Sequence, residues 1–291
     1  MSYNLGRRSM PQHLAQQYQR LKAIASEDLR GEAVAHLIRE MAVYARQLLQ
    51  RTERVGLTSR VEGKHYFGFR RDGQSRPVNE ALYIEDEGDF NRLLRAFESG
   101  FPGATGEDIV RSTYSAAYSV FAAHDTYGVG RKASATFFEV LIGHIVSRAV
   151  GVSPRKKVRI PESGADLPTD YVFDPGTKSR KIHLPIKTST RERAVQAWVH
   201  QLVLDRIFGT GVYRGVLVVS AETKRDSKTG EVIEICVPRQ LQMFQSRVAE
   251  ISRIYYLDPP QVYLALAADF PRVEVRSFGE ALSELPGLLH T

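Results

Sequence analysis

Apolar residues recur every three or four positions through much of the first hundred residues. The spacing is clearest over Leu29, Ala33, Leu37, Met41, Tyr44 and Leu48. Arg, Glu and Gln fill the intervening positions, a pattern typical of an amphipathic helix. A second helical pattern runs from Ser134 to Ala149, where the apolar residues cover one face and leave Glu139 outside it. The sequence therefore predicts a mainly helical N-terminal region and a long buried helix in the second half.

From Val158 onward the pattern changes to short apolar runs rich in β-branched residues, which predict strands. These strands cover residues 169–173, 181–186, 212–220 and 231–237, with helices expected over 190–208 and 239–254. This alternation predicts a mixed α/β core. The run Phe-Pro-Gly-Ala-Thr-Gly at 101–106 predicts a domain boundary. We therefore expect a mainly helical region over residues 1–105 and an α/β domain over 106–291.

The segment 61–77 mixes aromatic, basic and glycine residues and fits two interpretations. Tyr66, Phe67 and Phe69 alternate with glycine and arginine. In one interpretation the segment is a turn-rich ribbon that contacts nucleic acid. In the other it is a β-hairpin whose aromatic rings face the core. The sequence alone leaves both open.

Composition narrows the class of protein. The chain has 291 residues, a hydrophobic content of 43% and a formal net charge of +7. A basic balance suits a polyanionic partner, although many basic proteins bind no nucleic acid. The single cysteine excludes an internal disulfide and a cysteine-rich zinc site. No apolar stretch reaches the roughly 18 residues of a membrane span and no signal-peptide core is evident, so no membrane association and a cytoplasmic location are expected.

Two strand patterns joined by turn residues place an acid and a lysine together. The turn Asp-Pro-Gly-Thr-Lys-Ser-Arg covers residues 174–180. If the hairpin is symmetric about residues 178 and 179, Asp170 lies opposite Lys187, at a cross-strand spacing of about 5 Å. A carboxylate can bind Mg²⁺, and a lysine beside it can stabilise charge on a phosphate. The alternative is a cross-strand salt bridge on a sheet surface.

A second acidic residue is harder to find. Pro185 stands two residues before Lys187 and offers no side-chain ligand. Glu139 on the upstream helix is the best acidic candidate, although it fits a solvated helix surface equally well. His200 lies two helical turns after Arg193 and is a candidate for the second active-site position, with Gln201 as its competitor.

The triplet Arg191, Glu192 and Arg193 begins the helix that follows the lysine. Arginine matches the two acceptors of guanine, and a carboxylate can accept from the amino group of cytosine. The triplet can therefore read neighbouring G·C and C·G pairs. Ser189 and Glu192 also form a good capping box, and one glutamate side chain cannot fully serve both roles.

Together these residues resemble a known family. Asp170, Lys187 and Arg191-Glu192-Arg193 are similar to the catalytic and recognition segment of type II restriction endonucleases of the PD-(D/E)XK fold. The pattern of a lysine, three residues and Arg-(Asp/Glu)-Arg resembles the CCGG family in particular. The resemblance covers residues 166–201, extends loosely to the helix of Glu139, and does not include residues 1–100. In a protein of this family, the mainly helical region over residues 1–105 would contact DNA or mediate dimerisation.

The resemblance implies a fold and an activity. The fold would be a PD-(D/E)XK mixed sheet flanked by helices. The enzyme would be a Mg²⁺-dependent homodimer that cuts double-stranded DNA at a palindromic CCGG- or CCNGG-type site, with a cognate DNA methyltransferase in the same restriction-modification system. Asp170 and Glu139 would hold the metal, and Lys187 and His200 would complete the catalytic set. Arg191, Glu192 and Arg193 would contact the CC/GG half-site.

The sequence departs from the family pattern in two places, and this leaves alternatives. The proline precedes Thr169 instead of the aspartate, and neither His200 nor Gln201 is the acidic residue that the family carries there. One alternative is a DNA-binding protein of the same fold that has lost its catalytic site. Another is a repair nuclease of this fold that recognises DNA structure, and a third is a globular protein whose 189–192 run only caps a helix.

Overall fold

The computed structural model describes residues 6–128, 131–176, 179–190 and 194–290. Residues divide into two compact units. The first contains the described residues up to 104 together with 111–144 and 223–233, and the second contains 105–110, 145–222 and the residues from 234 onward. The functional division predicted at residue 105 stays a prediction.

Helices form most of the first unit, as the apolar spacing predicts. They are α1 (Gly6–Glu27), α2 (Glu32–Leu49), α3 (Glu87–Glu98), most of α4 (Gly106–Tyr127) and much of α5 (Arg131–Val150). Helix α2 buries Leu37, Ile38 and Met41 on its apolar face. Asp86 caps α3 by accepting a hydrogen bond from the backbone N–H of Asp89 at 2.7 Å.

A small antiparallel sheet follows α2. It consists of β1 (Glu53–Leu57), β2 (Tyr66–Arg70) and β3 (Val78–Asn79), in that order. Tyr66, Phe67 and Phe69 on β2 are buried. The core-facing interpretation of the 61–77 segment is therefore correct, because these rings pack inside the unit and do not form an exposed ribbon.

The second unit is built on a seven-stranded mixed sheet. Its strands are β4 (Pro154–Arg159), β5 (Asp166–Phe173), β6 (Lys181–Leu184), β7 (Ile186–Lys187), β8 (Tyr213–Ala221), β11 (Ile251–Asp258) and β12 (Val275–Ser277). The order is β12-β11-β8-β6-β5-β4, and β7 also pairs with β8. Strands β6, β7, β8, β11 and β12 pair in parallel, while β4 and β5 are antiparallel additions at one edge. Strands β9 (Thr223–Arg225) and β10 (Val232–Glu234) form a separate pair, which belongs to the first unit except for Glu234.

Helices α6 (Ala194–Phe208) and α7 (Pro238–Arg247) cover part of this sheet. Trp198 of α6 and Leu241 of α7 pack with Leu217, Ile254 and Tyr256 in one buried cluster. The short helices α8 (Gln261–Leu264) and α9 (Leu266–Asp269) and the C-terminal α10 (Ala281–His290) complete the unit. The mixed α/β architecture predicted from the alternating patterns is confirmed.

Two sequence expectations about individual elements were wrong. The helix expected over 239–254 ends at Arg247, and residues 251–258 form β11. The run Ile-Ser-Arg-Ile-Tyr-Tyr-Leu favours a strand because its β-branched and aromatic side chains pack well on a sheet. Strand β10 is also shorter than the strand predicted over 231–237.

One apolar helix also differs from the expectation. Among the described residues, the segment Lys132–Val150 of α5 is long and apolar enough to cross a membrane by length and composition alone, although 67% of it is buried in the fold. A mostly buried helix with these properties is equally typical of the core of a soluble protein, so this is weak evidence for a span.

Candidate active site

The carboxylate of Asp170 lies at the point where β5, β6 and β7 meet. Its Oδ2 accepts a hydrogen bond from Nζ of Lys187 at 2.8 Å and another from the backbone N–H of Ile186 at 2.7 Å. Both side chains are largely shielded, with 23% of Asp170 and 15% of Lys187 exposed. The predicted juxtaposition of acid and lysine is thus present, in a more protected position than an ordinary surface ion pair.

The strand register that produces this contact differs from the predicted one. Val172 pairs with His183 and Tyr171 with Leu184, so the hairpin is centred between residues 177 and 178. Lys187 does not stand opposite Asp170, because it belongs to β7 and pairs with Val219 of β8. Its long side chain reaches back to the carboxylate. The contact was predicted correctly from a register that was wrong by two residues.

Pro185 separates β6 from β7. Proline has no amide hydrogen, and its carbonyl accepts a hydrogen bond from the N–H of Val218 at 3.0 Å. The next amide, that of Ile186, donates to Asp170. Pro185 cannot supply a side-chain ligand, but it lies directly before Ile186, whose backbone N–H orients the carboxylate of Asp170.

A cleft of about 140 Å³ opens beside this pair. Asp170, His183, Lys187, Gln196 and His200 are among the residues that line it. His200 of α6 is half-buried, and burial lowers the pKa of its imidazole, which the positive charge of Lys187 lowers further while Asp170 opposes the change. At neutral pH the ring is therefore held in its uncharged form, which can accept a hydrogen bond.

Gln201, the competitor of His200, is buried and is held by three partners. Its Nε2 donates to Oδ1 of Asp205 at 2.9 Å and to the carbonyl of Tyr213 at 2.8 Å. Its Oε1 lies 3.1 Å from Nδ1 of His183. Gln201 thus ties α6 to the sheet, whereas His200 lines the cleft.

The structure places an unpredicted residue, His183, against the cleft. Because Gln201 uses its amide nitrogen on two acceptors, its oxygen accepts from Nδ1 of His183, and this assigns the tautomer with a lone pair on Nε2. Nε2 is buried and has no hydrogen-bond partner among the described residues. Burial lowers the pKa of His183 to about 4. His183 shares a strand face with Pro185 and Lys187, which is the only signal in the sequence that could have identified it.

These residues provide a restricted set of metal donors. Within the described ranges no group of three or more His, Cys, Asp and Glu residues forms a metal-binding cluster. Oδ1 of Asp170 takes no hydrogen bond from any described residue, whereas Oδ2 takes two. Mg²⁺ is commonly bound by only one or two carboxylates and keeps several waters. The donor set therefore fits a hydrated Mg²⁺ held mainly by Asp170.

Other predicted site residues lie elsewhere. Glu139 is half-buried on α5, in the first unit, and its role as an outer acidic residue stays a prediction. Arg191, Glu192 and Arg193 lie outside the described residues. Thr190, which precedes them, is fully buried, and Ala194, which follows them, begins α6.

Comparison with known proteins identifies the fold. No family model and no curated protein matches the chain. The crystal structure of the type IIP restriction endonuclease Kpn2I matches with a TM-score of 0.81 and 24% sequence identity, over 94% of this chain and 96% of that one. A complex of the restriction endonuclease PspGI with substrate DNA matches with a TM-score of 0.41 and 15% identity, over 72% of this chain and 86% of that one. The similarity to Kpn2I shows that this chain has the mixed α/β fold of a type II restriction endonuclease.

Proposed function

We propose that the protein is a type II restriction endonuclease that makes sequence-specific double-strand cuts in DNA. The observation that carries this proposal is the contact between Nζ of Lys187 and Oδ2 of Asp170, in a cleft of a restriction-endonuclease fold. A partly shielded acid and lysine on neighbouring strands inside the sheet, beside an uncharged imidazole, suit phosphodiester hydrolysis better than they suit structural stabilisation.

Each residue has a chemical role in this proposal. Asp170, oriented through Oδ2 by Lys187 and by the amide of Ile186, would hold Mg²⁺, with Glu139 as the outer ligand. When bound, Mg²⁺ supplies positive charge next to the scissile phosphate. The ammonium of Lys187 stabilises negative charge that builds up on the phosphate during attack by water. His200, kept uncharged at neutral pH, accepts a hydrogen bond from that water.

Sequence recognition is proposed for the triplet 191–193. Arg191 and Arg193 would each read guanine, and Glu192 would read cytosine, within the CC and GG half-sites of a CCGG- or CCNGG-type palindrome. The short chain distance from Lys187 to Arg191 supports this, because it couples base reading to the catalytic cleft. Two-fold symmetry of the site implies a homodimer. A cognate DNA methyltransferase and a cytoplasmic location complete the proposed restriction-modification system.

A second candidate is a sequence-specific DNA-binding protein that no longer cuts. The specific observation in its favour is that His200 lines the cleft beside Asp170, in a position where the resemblance leads one to expect an acid. Pro185, two residues before Lys187, likewise supplies no side-chain ligand. A structure-specific repair nuclease of the same fold is the other alternative.

The test is incubation of the purified protein with plasmid and phage DNA in the presence of Mg²⁺ or EDTA, followed by sequencing of fragment ends. We expect discrete fragments with Mg²⁺ and none with EDTA, and the ends give both the site and the cut position. Intact DNA that is nevertheless bound specifically at CCGG or CCNGG duplexes would contradict the nuclease and favour the binding protein. Cutting that follows branched or mismatched structure and ignores sequence would favour the repair nuclease.

A further inference from the structure

A fully buried glutamate contacts the residue that precedes the triplet 191–193. Glu222 directly follows β8 and has no exposed surface. Its Oε1 accepts from the backbone N–H of Thr190 at 2.9 Å and from the Thr190 hydroxyl at 2.5 Å. The hydroxyl of Tyr256, on the neighbouring strand β11, donates to the same oxygen at 2.9 Å. Three donors from two elements thus converge on one carboxylate oxygen.

The contact between Glu222 and Thr190 is the last of a series of hydrogen bonds that join residues 185–190 to the end of β8. The carbonyl of Pro185 accepts from the N–H of Val218, and the carbonyl of Thr188 accepts from the hydroxyl of Ser220 at 2.8 Å. The chain from Pro185 to Thr190 is therefore fastened to the end of β8 up to its last residue before Arg191. The bond to Glu222 is the final attachment of this segment.

The chemistry of the contact is unusual for a purely structural role. A buried carboxylate costs considerable free energy unless charge-assisted hydrogen bonds offset its desolvation. Burial, followed by the charge of Glu222, raises the pKa of Tyr256, which keeps its phenol protonated as a donor. Because Oε1 of Glu222 accepts from both the backbone N–H and the hydroxyl of Thr190, one carboxylate oxygen fixes this threonine at two points.

We propose that Glu222 is a positioning residue for DNA reading. By holding Thr190, it sets the starting point of the Arg191–Arg193 segment relative to Lys187, and thereby determines how sharply the enzyme distinguishes its site from sites with one altered base pair. Asp170 and Lys187 bond each other and the amide of Ile186, whereas Glu222 bonds Thr190 and Tyr256, so we expect loss of the Glu222 contact to change discrimination more than the rate of cutting at the cognate site. This inference rests on the proposed function.

The test uses three variants of the full-length protein. Thr190→Val removes the hydroxyl while keeping the shape of the side chain, Thr190→Ser keeps the hydroxyl, and Tyr256→Phe removes one of the three donors. Tyr255→Phe is the matched control, because Tyr255 is the adjacent residue on β11 and its hydroxyl donates to a different carboxylate, Glu284, at 2.6 Å. Each protein is assayed for cutting of a duplex that carries the site identified from fragment ends, and of duplexes with one changed G·C pair.

We expect the ratio of cutting rates on cognate and altered duplexes to fall about tenfold in Thr190→Val and Tyr256→Phe, because a displaced arginine loses part of its ability to distinguish a correct base from a wrong one. Thr190→Ser should retain the wild-type ratio. Tyr255→Phe should lower thermal stability by an amount similar to Tyr256→Phe and leave the ratio unchanged.

The outcomes separate this inference from the proposed function. One outcome is that the wild type discriminates between the duplexes, while Thr190→Val and Tyr256→Phe give the same ratio as Tyr255→Phe. In that case the positioning role of Glu222 is wrong, but the proposed nuclease function still stands. If the wild type neither cuts nor prefers any duplex, the proposed function fails and the inference fails with it. If Thr190→Val does not fold, the comparison of Tyr256→Phe with Tyr255→Phe decides alone.

Discussion

A pocket of about 280 Å³ in the first unit is twice the size of the cleft that contains Asp170 in the second. The first pocket is lined by aromatic rings and by two arginines. Arg54 lies 3.9 Å from the ring centre of Phe67 and pairs with Glu85 at 2.6 Å. Arg46 donates to the carbonyls of Ile84 and Glu85 and stacks on an adjacent ring. Both arginines of this pocket therefore already have partners within the first unit.

The smaller cleft of the second unit is different in kind. One oxygen of Asp170 takes no hydrogen bond from the described residues, and two imidazoles beside it have lowered pKa values. The comparison teaches that aromatic and basic residues next to each other in sequence do not identify a ligand site. What identifies it is a polar group held in place with part of its bonding capacity unused.

The largest effect that tests the contrast between the two pockets is expected from removing Lys187, the lysine that lines the smaller cleft. Lys187→Ala should lower the rate of DNA cutting by about 10²–10⁴-fold while specific DNA binding persists, because the ammonium stabilises charge during attack. The matched control is Lys181→Ala, since Lys181 pairs with Asp174 at 2.7 Å in the same hairpin with similar shielding. Single-turnover cutting and gel-shift binding measure the two effects. Equal losses in both variants would show that the hairpin only needs its ion pairs for stability.

The two units also carry histidines that should respond alike to pH. Burial lowers the pKa of His124 in the first unit and of His183 in the second to about 4 in each case. The unfolded chain therefore binds more protons than the folded one between about pH 4 and 6.5, so stability is full above this range and is lost as the pH falls through it. Each histidine should contribute up to about 3 kcal/mol to that loss.

Urea unfolding of the wild type and of His124→Gln and His183→Gln, at pH 7.5 and 4.5, tests this expectation. Each variant should show a smaller difference in unfolding free energy between the two pH values than the wild type does. Only His183→Gln should also change the rate of DNA cutting at pH 7.5. A change in cutting by His124→Gln would contradict the contrast between the two units.

The smallest expected effects concern two ion pairs of the first unit, which should contribute to the stability of the fold and not to sequence discrimination. Arg76 binds Asp125 through two side-chain hydrogen bonds of 2.9 and 3.0 Å and lies 4.3 Å from the ring centre of Phe121. Arg76→Ala should lower the free energy of unfolding by about 2 kcal/mol without changing sequence discrimination. Arg70→Ala removes an exposed pair with Glu53 and should cost no more than about 0.5 kcal/mol. Thermal unfolding and cutting ratios measure both variants.

The elements that were predicted correctly are those whose apolar spacing or turn residues lie within the element itself. The apolar spacing located α2 and α5, and the turn residues between 174 and 180 located the hairpin of the site. The contact between Asp170 and Lys187 followed from the same pattern, because the two strands had to return to one edge of the sheet. The resemblance on these few residues also predicted the fold that the comparison with Kpn2I confirms.

Features that depend on contacts between segments far apart in the chain could not be predicted from the sequence. The register of β5 with β6 is set by pairing within the whole sheet, so a count from the turn missed it by two residues. The contact of His183 with Gln201 of α6 and the contacts of Glu222 with Thr190 and with Tyr256 of β11 join residues that are 18 or more positions apart, so no local pattern indicates them. The end of α7 was missed because Val248 and Ala249 fit a helix as well as the loop before β11.

The amide of Ile186 that holds Asp170 has a consequence for how such chains are recognised. A hydrogen bond from the main chain is determined by the path of the backbone, so it survives any change of the side chain at that position except to proline, and it leaves no trace in a residue pattern. A residue pattern that demands an acid at the position of Pro185 would therefore miss the group that anchors Asp170 in this chain. That anchor is found only when the path of the strand is compared.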